Sequence, residues 1–316
     1  MAFAPRTPFD WHLRTRVLSL GPHTLIMGVL NVTPDSFSDG GLHSTSDAAL
    51  SRALTLLDEG ADILDIGGES TRPNATPITP EEEQFRTLPI IEAILKARPK
   101  AILSIDTFHA STAKAAVEAG AEIVNDVSGH SWDPAMSSTC ATLECGVILM
   151  HTRGRPQDWP KLPPLPPVAV LPVVLTGLRD SLLAARTAGI ASDSIILDPG
   201  FGFGKIGDEN YALHALLPQL HQFGLPVLTG TSRKGFLAKT LAPFHRGQPA
   251  PMNARLNATT ASNVAAILAG AHIIRVHDVR SAVEAAAVAD AILNATGVLA
   301  SGSNPTFASA PSNTPQ

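Results

Sequence analysis

One unit, repeated eight times, constrains this chain more than any other feature. A short apolar run ends on a polar or charged residue, and a segment with helical periodicity follows. Runs and helices fall at 25–31 and 47–59, 62–67 and 79–96, 101–106 and 109–119, and 122–127 and 134–143. The series continues at 147–151 and 173–189, 194–198 and 208–223, 226–229 and 254–269, and 272–277 and 279–294. Runs this apolar are strands covered on both faces, which is the condition of a parallel sheet wrapped by its crossover helices. Strict alternation over about 250 residues fits a closed (β/α)8 TIM barrel better than an open doubly wound sheet.

The ends read differently. Residues 1–11 suggest a loose arm, and 13–20 partly alternates before Gly21-Pro22 turns the chain, which predicts a short hairpin closing one end of the barrel. From Thr296 the chain is rich in Ser, Pro, Asn and Ala, which predicts a disordered tail. The organisation expected is an arm and hairpin over 1–23, one barrel domain over 24–295 and a flexible tail over 296–316. A proline-rich linker is expected between Pro156 and Pro172.

Composition excludes some partners. With 23 Lys and Arg against 28 Asp and Glu the net charge is −5, which gives no general attraction for nucleic acid or an anionic membrane. No run reaches the roughly 18 apolar residues of a membrane span. The N-terminus lacks the apolar core of a signal peptide, and Cys140 and Cys145, five apart, fit neither a disulfide framework nor a metal motif. Reduced thiols and a cytoplasmic location are expected.

In a barrel the C-terminal strand ends share one face, where ligands bind. Here that face would collect Asn31, Asp65, Asp106, Asn125, Met150-His151, Asp198, the run 231–234 and Arg275-Val276-His277. Buried charges gathered at one mouth persist only when paired with each other or with a ligand. Asp198 has the geometry to accept two parallel hydrogen bonds from a heterocycle edge carrying N–H and NH2, with Asn125 and Asp106 for the opposite edge. Arg275 and His277, with Asn31, would form a polyanion corner. Gly200, Gly202 and Gly204 suggest close approach of backbone to a ligand. His151 and Asp65 fit either direct contact or a place behind the ligands, Glu69 the interior of the second loop, which follows the apolar run 62–67, and Trp132 and Trp159 packing.

The motifs GVLNVTPDSFSDGG, DIGGESTRP, SIDT, NDVSG, MHTRG, LDPGFGFGK, TGTSRKGFL and RVHDV occur in this order, one on each strand. Together they resemble the dihydropteroate synthases, over about residues 25–293. The resemblance implies condensation of 6-hydroxymethyl-7,8-dihydropterin diphosphate with 4-aminobenzoate, giving 7,8-dihydropteroate and pyrophosphate through a dissociative, cation-like step. It implies that Asp106, Asn125, Val127, Met150, Asp198 and Lys234 hold the pterin. Asn31, Thr71, Arg72, Arg275 and His277 would hold the diphosphate, and Phe37, Thr71, Pro73, Phe203 and Ser232 the aminobenzoate. Mg2+ would sit on Asn31 and Asp35, and Asp35, Arg72 and Lys234 would be catalytic. Such enzymes usually pair as homodimers and are sulfonamide targets. Asn74 stands where Gly is usual and Gly235 where Ser is common. Two other functions fit part of the pattern: a pterin-dependent methyltransferase, and a paralogue that binds pterin without turnover. Neither needs the combination of polyanion corner, Asp35, Arg72 and Lys234.

Overall fold

The computed structural model describes residues 3–33, 42–71 and 75–301, with backbone alone at 42–45 and 297–301. An antiparallel hairpin, β1 (Phe9–His12) and β2 (Val17–Leu20), precedes eight parallel strands. These are β3 (Leu25–Asn31), β4 (Ile63–Gly67), β5 (Ile102–Asp106), β6 (Ile123–Asp126), β7 (Gly146–Met150), β8 (Ile195–Asp198), β9 (Leu228–Thr229) and β10 (Ile273–Val276). Their order is β8-β7-β6-β5-β4-β3-β10-β9, and the bridge Leu197↔Val227 closes the ring. The result is the expected (β/α)8 barrel.

Nine helices are described: α1 (Leu42–Asp58), α2 (Pro80–Ala97), α3 (Ala110–Glu118), α4 (Met136–Leu143), α5 (Pro167–Thr187), α6 (Glu209–Ala215), α7 (Gly235–Thr240), α8 (Leu256–Leu268) and α9 (Val279–Ser301). Thr79 starts α2 as a side-chain cap, its hydroxyl accepting from the Glu82 N–H at 3.3 Å, with Pro80 in the first turn.

Period-two alternation sorts every strand. One set of side chains, including Ile26, Leu30, Leu64, Ile66, Leu103, Ile105, Val124 and Leu149, meets the helices in a single buried cluster. The other set points inward: Met27, Ile63, Ile123, Ile148, Ile196, Leu228 and Ile273 form a second cluster that fills the barrel floor. Two and four residues further along the same inward rows come the polar residues of the mouth. Register holds them level, with Asn31 opposite Gly67, Gly67 opposite Asp106, Asp106 opposite Asn125, and Met150 opposite Asp198.

The hairpin plugs the floor. Trp11 is fully buried there and its indole N–H donates to the Ser194 carbonyl at 3.0 Å. Gly146 at the foot of β7 makes room: a Cβ there would lie 2.5 Å from Leu13 and 3.2 Å from Trp11. The loose arm expected over 1–11 is therefore corrected. Arg6 is buried, ion-paired with Asp290 at 2.6 Å and donating to the Gly21 carbonyl at 2.8 Å, because an apolar floor must be covered and the arm covers it.

Other boundaries shift for local reasons. Helix α1 starts at Leu42 and not at 47. The proline-rich linker ends early, since α5 begins on Pro167 in its first turn and runs through Pro172, whose ring is exposed. Helix α5 is also long and apolar enough to cross a membrane, against the expectation that no such run exists, but its buried residues Val170, Leu171, Val174, Leu178 and Leu182 belong to the barrel core. The helix expected over 208–223 breaks at Leu216 into a 3-10 segment, because Pro218 disfavours helical backbone before it. Helix α9 continues to Ser301, past the expected start of the tail; residues 302–316 lie outside the described residues.

Candidate active site

A cavity of about 950 Å³ opens at the C-terminal mouth. Asn31, Thr71, Asp106, Asn125, Val127, Met150, Asp198, Phe203, Ser232, Lys234, Arg275 and His277 all line it. Asp35, Phe37, Arg72 and Pro73, also singled out in the sequence, lie outside the described residues.

The floor of the cavity is an ion-pair triangle. Arg275 donates from Nε to Asp65 and from Nη2 to Asp106, each at 2.6 Å. Asn125 Nδ2 donates to the same Asp65 oxygen at 3.0 Å. Asp65 is fully buried and does not line the cavity, so it stands behind the ligand-facing groups. Burial pushes the Asp106 carboxyl above its usual range and the Arg275 guanidinium pulls it back. Arg275 lines the cavity as expected, and two of its nitrogens are already committed to carboxylates, Asp65 behind the wall and Asp106 on it.

His277 also lines the cavity. Burial lowers it to about 3, with the cations Arg275, Arg233 and Lys234 adding to the effect, so the imidazole is neutral at physiological pH. Its Nδ1 lies 3.0 Å from the Ser232 hydroxyl, which also accepts the His277 backbone N–H at 3.2 Å. Ser232 and His277 thus form one hydrogen-bonded pair, although the sequence suggested two different subsites. The neighbouring Arg233, in left-handed backbone at φ 58°, also lines the cavity and makes a bidentate ion pair with Asp278.

Asp198 ends β8 with one oxygen held by the Gly200 N–H at 2.7 Å. Burial raises its carboxyl to about 6, while that hydrogen bond and then Lys234, Lys205 and Arg275 pull downward. Of the glycines after it, Gly202 and Gly204 line the cavity, and internal packing also calls for glycine here. At Gly200 (φ +68°) a Cβ would lie 2.0 Å from the His151 carbonyl oxygen, and at Gly202 (φ +80°) 3.2 Å from the Lys234 side chain. Lys234 sits with Nζ 3.9 Å from the centre of the Phe203 ring, a cation–π contact. Trp159, expected only to pack, meets Phe203 edge-on at 5.4 Å and also lines the cavity. His151 is buried and outside the cavity lining; its carbonyl accepts from Lys205.

Glu69, Ser70 and Thr71 carry the base of the second loop into the cavity wall. Glu69 meets His109 Nε2 at 3.2 Å, which raises the imidazole above its usual value. Sequence reasoning missed Lys205, Asn210 and Arg255, which also line the cavity. Lys205 is the last residue of LDPGFGFGK, and a lysine closing a glycine-rich loop at a strand end was the available signal. For a metal, Asn31 offers a hard oxygen at the mouth. Among the described residues no three His, Cys, Asp or Glu side chains gather as a cage. A Mg2+ ion sharing few protein oxygens with ligand phosphates and water fits that donor set.

A family model described as "Pterin binding enzyme" matches residues 27–277. The chain is 42% identical over 287 residues to the dihydropteroate synthase of Bacillus subtilis (strain 168), covering 91% of this chain and 95% of that one. It is 40% identical over 273 residues to that of Escherichia coli (strain K12), covering 86% and 93%. Among solved structures, Xanthomonas albilineans dihydropteroate synthase with 4-aminobenzoic acid superposes with TM-score 0.82 at 40% identity over 90% of this chain and 98% of that one. The Yersinia pestis enzyme in a sulfonamide complex gives TM-score 0.81 at 38% identity, with the same coverage. The X. albilineans enzyme with 7,8-dihydropteroate gives TM-score 0.78 at 37% identity, again with the same coverage. A barrel whose mouth joins buried carboxylates, an amide and cations in one cavity, matched along nearly its whole length, belongs to the dihydropteroate synthase family.

Proposed function

We propose that this chain joins 6-hydroxymethyl-7,8-dihydropterin diphosphate to 4-aminobenzoate, releasing pyrophosphate and 7,8-dihydropteroate. The observation that carries this reading is the buried Asp198 carboxylate, which shares one cavity with Asn125 and the Asp106–Arg275 pair. A flat heterocycle with donors on one edge and mixed groups on the other satisfies that arrangement. Val127 and Met150 line its slot, and Lys234 sits beside it.

The diphosphate belongs with Asn31, Thr71, Arg72 and His277, with Arg275 supplying charge from below. The aminobenzoate belongs between Phe203 and Ser232 on the barrel side and Phe37, Thr71 and Pro73 on the loop side. Asn31 and Asp35 would hold Mg2+, which when bound neutralises charge developing on the departing pyrophosphate. The C–O bond to the diphosphate breaks ahead of attack, and the amine nitrogen then bonds to the pterin methylene carbon and loses a proton. That amine is already neutral near pH 7, so no strong general base is needed. Asp35 would stabilise the cationic methylene.

The purified protein with both substrates and Mg2+ should release pyrophosphate as dihydropteroate forms; binding without release, or methyl transfer to a corrinoid, would overturn the reading. Asp35→Ala should lower turnover about tenfold or more while changing pterin diphosphate affinity measured without Mg2+ less than about twofold, since its work toward the pterin begins as pyrophosphate departs. Rapid-quench kinetics and calorimetry separate the two effects, and unaltered turnover removes Asp35 from the chemistry. Affinity for a dihydropterin lacking phosphates should fall as pH drops through about 6, because Asp198 accepts the pterin N–H groups only when ionised. A flat titration from pH 8 to 5 would contradict that contact.

Three expectations complete the reading. Sulfonamides compete at the aminobenzoate wall. The protein acts in the cytoplasm, in keeping with two free, buried cysteines. Two copies pair through the outside of the barrel, where Val288 and Ile292 on α9 and Leu256 on α8 leave apolar surface exposed.

A further inference from the structure

Lys205 is 4% exposed, yet no described carboxylate lies within ion-pair distance of it. Its ammonium is satisfied instead by backbone: Nζ donates to the carbonyls of Gly200 at 2.7 Å, His151 at 3.2 Å and Phe203 at 3.3 Å. Those three carbonyls connect the parts of the site that matter. Gly200 is gripped at both ends, since its N–H is the donor that holds Asp198 at 2.7 Å while its C=O accepts from Lys205. Phe203 carries the ring against which Lys234 and Trp159 rest. The rest of the loop is fastened independently: Asn210 accepts from the Gly202 N–H and donates to the Lys205 carbonyl, and Arg153 donates to the Gly204 carbonyl at 3.0 Å. A buried lysine is an expensive way to fold such a loop, because burying an ammonium costs more than burying an apolar side chain.

We propose that Lys205 is a positioning residue for both substrates, orienting the Asp198 carboxylate through the Gly200 peptide and the Phe203 ring through the Phe203 carbonyl. This rests on the reading of the cavity as a dihydropterin and aminobenzoate site. The groups facing Asp198 are Lys234 ahead of α7, Arg275 on β10 and Lys205 itself. Those facing Lys205 are Asp198, Lys234, Arg153 and Glu209, the last two ion-paired at 3.5 Å. Burial draws Lys205 down to about 7 while Asp198 opposes the fall, and the positive charge of Lys205 in turn favours the ionised Asp198 carboxylate.

The test compares the wild-type protein with Lys205→Gln, which keeps donors without charge, Lys205→Met, which keeps neither, and Lys205→Arg, which keeps charge. Calorimetry measures binding of 6-hydroxymethyl-7,8-dihydropterin from pH 5 to 8, and steady-state kinetics gives KM for 4-aminobenzoate. In both neutral variants the acidic limb of pterin binding should move up by about one pH unit, seen as about fivefold weaker binding at pH 6 and close to tenfold at pH 5. Lys205→Arg should hold the limb within about 0.3 units, a twofold effect. KM for aminobenzoate should rise in Lys205→Met more than in Lys205→Gln. A folded Lys205→Gln whose limb stays at the wild-type position overturns the proposal. So does failure of both neutral variants to fold, which would make the residue structural only. A wild-type protein that neither binds dihydropterin nor releases pyrophosphate overturns the functional reading instead.

Discussion

Asp198→Asn is expected to weaken dihydropterin binding by more than about a hundredfold while leaving the barrel intact. The reason lies in which oxygen is already used. One carboxylate oxygen accepts the Gly200 N–H at 2.7 Å, so an asparagine keeps its carbonyl there and turns its NH2 toward the cavity. That NH2 then meets the N–H groups of the pterin edge, donor against donor. Losing a charge-assisted hydrogen bond and stranding a donor costs roughly 3 kcal/mol. Stability should change little, since the Gly200 contact survives and Lys205 keeps its three carbonyls. Calorimetry with pterin diphosphate decides the matter: an affinity within about threefold of wild type, under 1 kcal/mol, removes Asp198 from pterin recognition.

The barrel was legible because its signal is repeated, and each apolar run had seven others to support it. The inward set of polar residues was legible for the same reason: Asn31, Asp106, Asn125, Asp198 and Arg275 sit at or near strand ends, and the register holds the strand ends level. What the sequence could not supply was partnership. Arg275 and His277 read alike as cations for an anion, yet two carboxylates claim the first and burial discharges the second. Charge state and pairing depend on neighbours far away in the chain, here 210 residues apart for Arg275 and Asp65. Arg6 was misplaced for a related reason. Its partner Asp290 lies 284 residues on, and no local pattern announces it. Trp159 carried too little context in a proline-rich stretch to be placed beside Phe203.

Arg275→Ala is expected to act on the whole site and on the fold, not on the diphosphate alone. The guanidinium is the shared counter-ion of Asp65 and Asp106, and Asp65 has no exposure through which water could replace it. Removing one partner of a buried ion pair costs about 3–5 kcal/mol, because the charge left behind stays buried. The variant should therefore lose stability on that scale and bind unphosphorylated dihydropterin poorly, since Asp106 and Asn125 lose their anchoring. The pH dependence has a definite sign. Burial already raises Asp106, and losing Arg275 removes the main influence lowering it. A group whose folded-state pKa is raised takes up protons on folding, so the variant's deficit should shrink as pH falls from 8 toward 6 and grow as pH rises. Arg275→Lys should recover only part of the loss, because a single ammonium does not reproduce the fork that reaches both carboxylates. Chemical denaturation across that pH range, with binding of pterin in its phosphorylated and unphosphorylated forms, distinguishes the roles. Wild-type stability with a loss confined to the diphosphate ligand would return Arg275 to the anion corner and leave the Asp65–Asp106 pair without its stated cause.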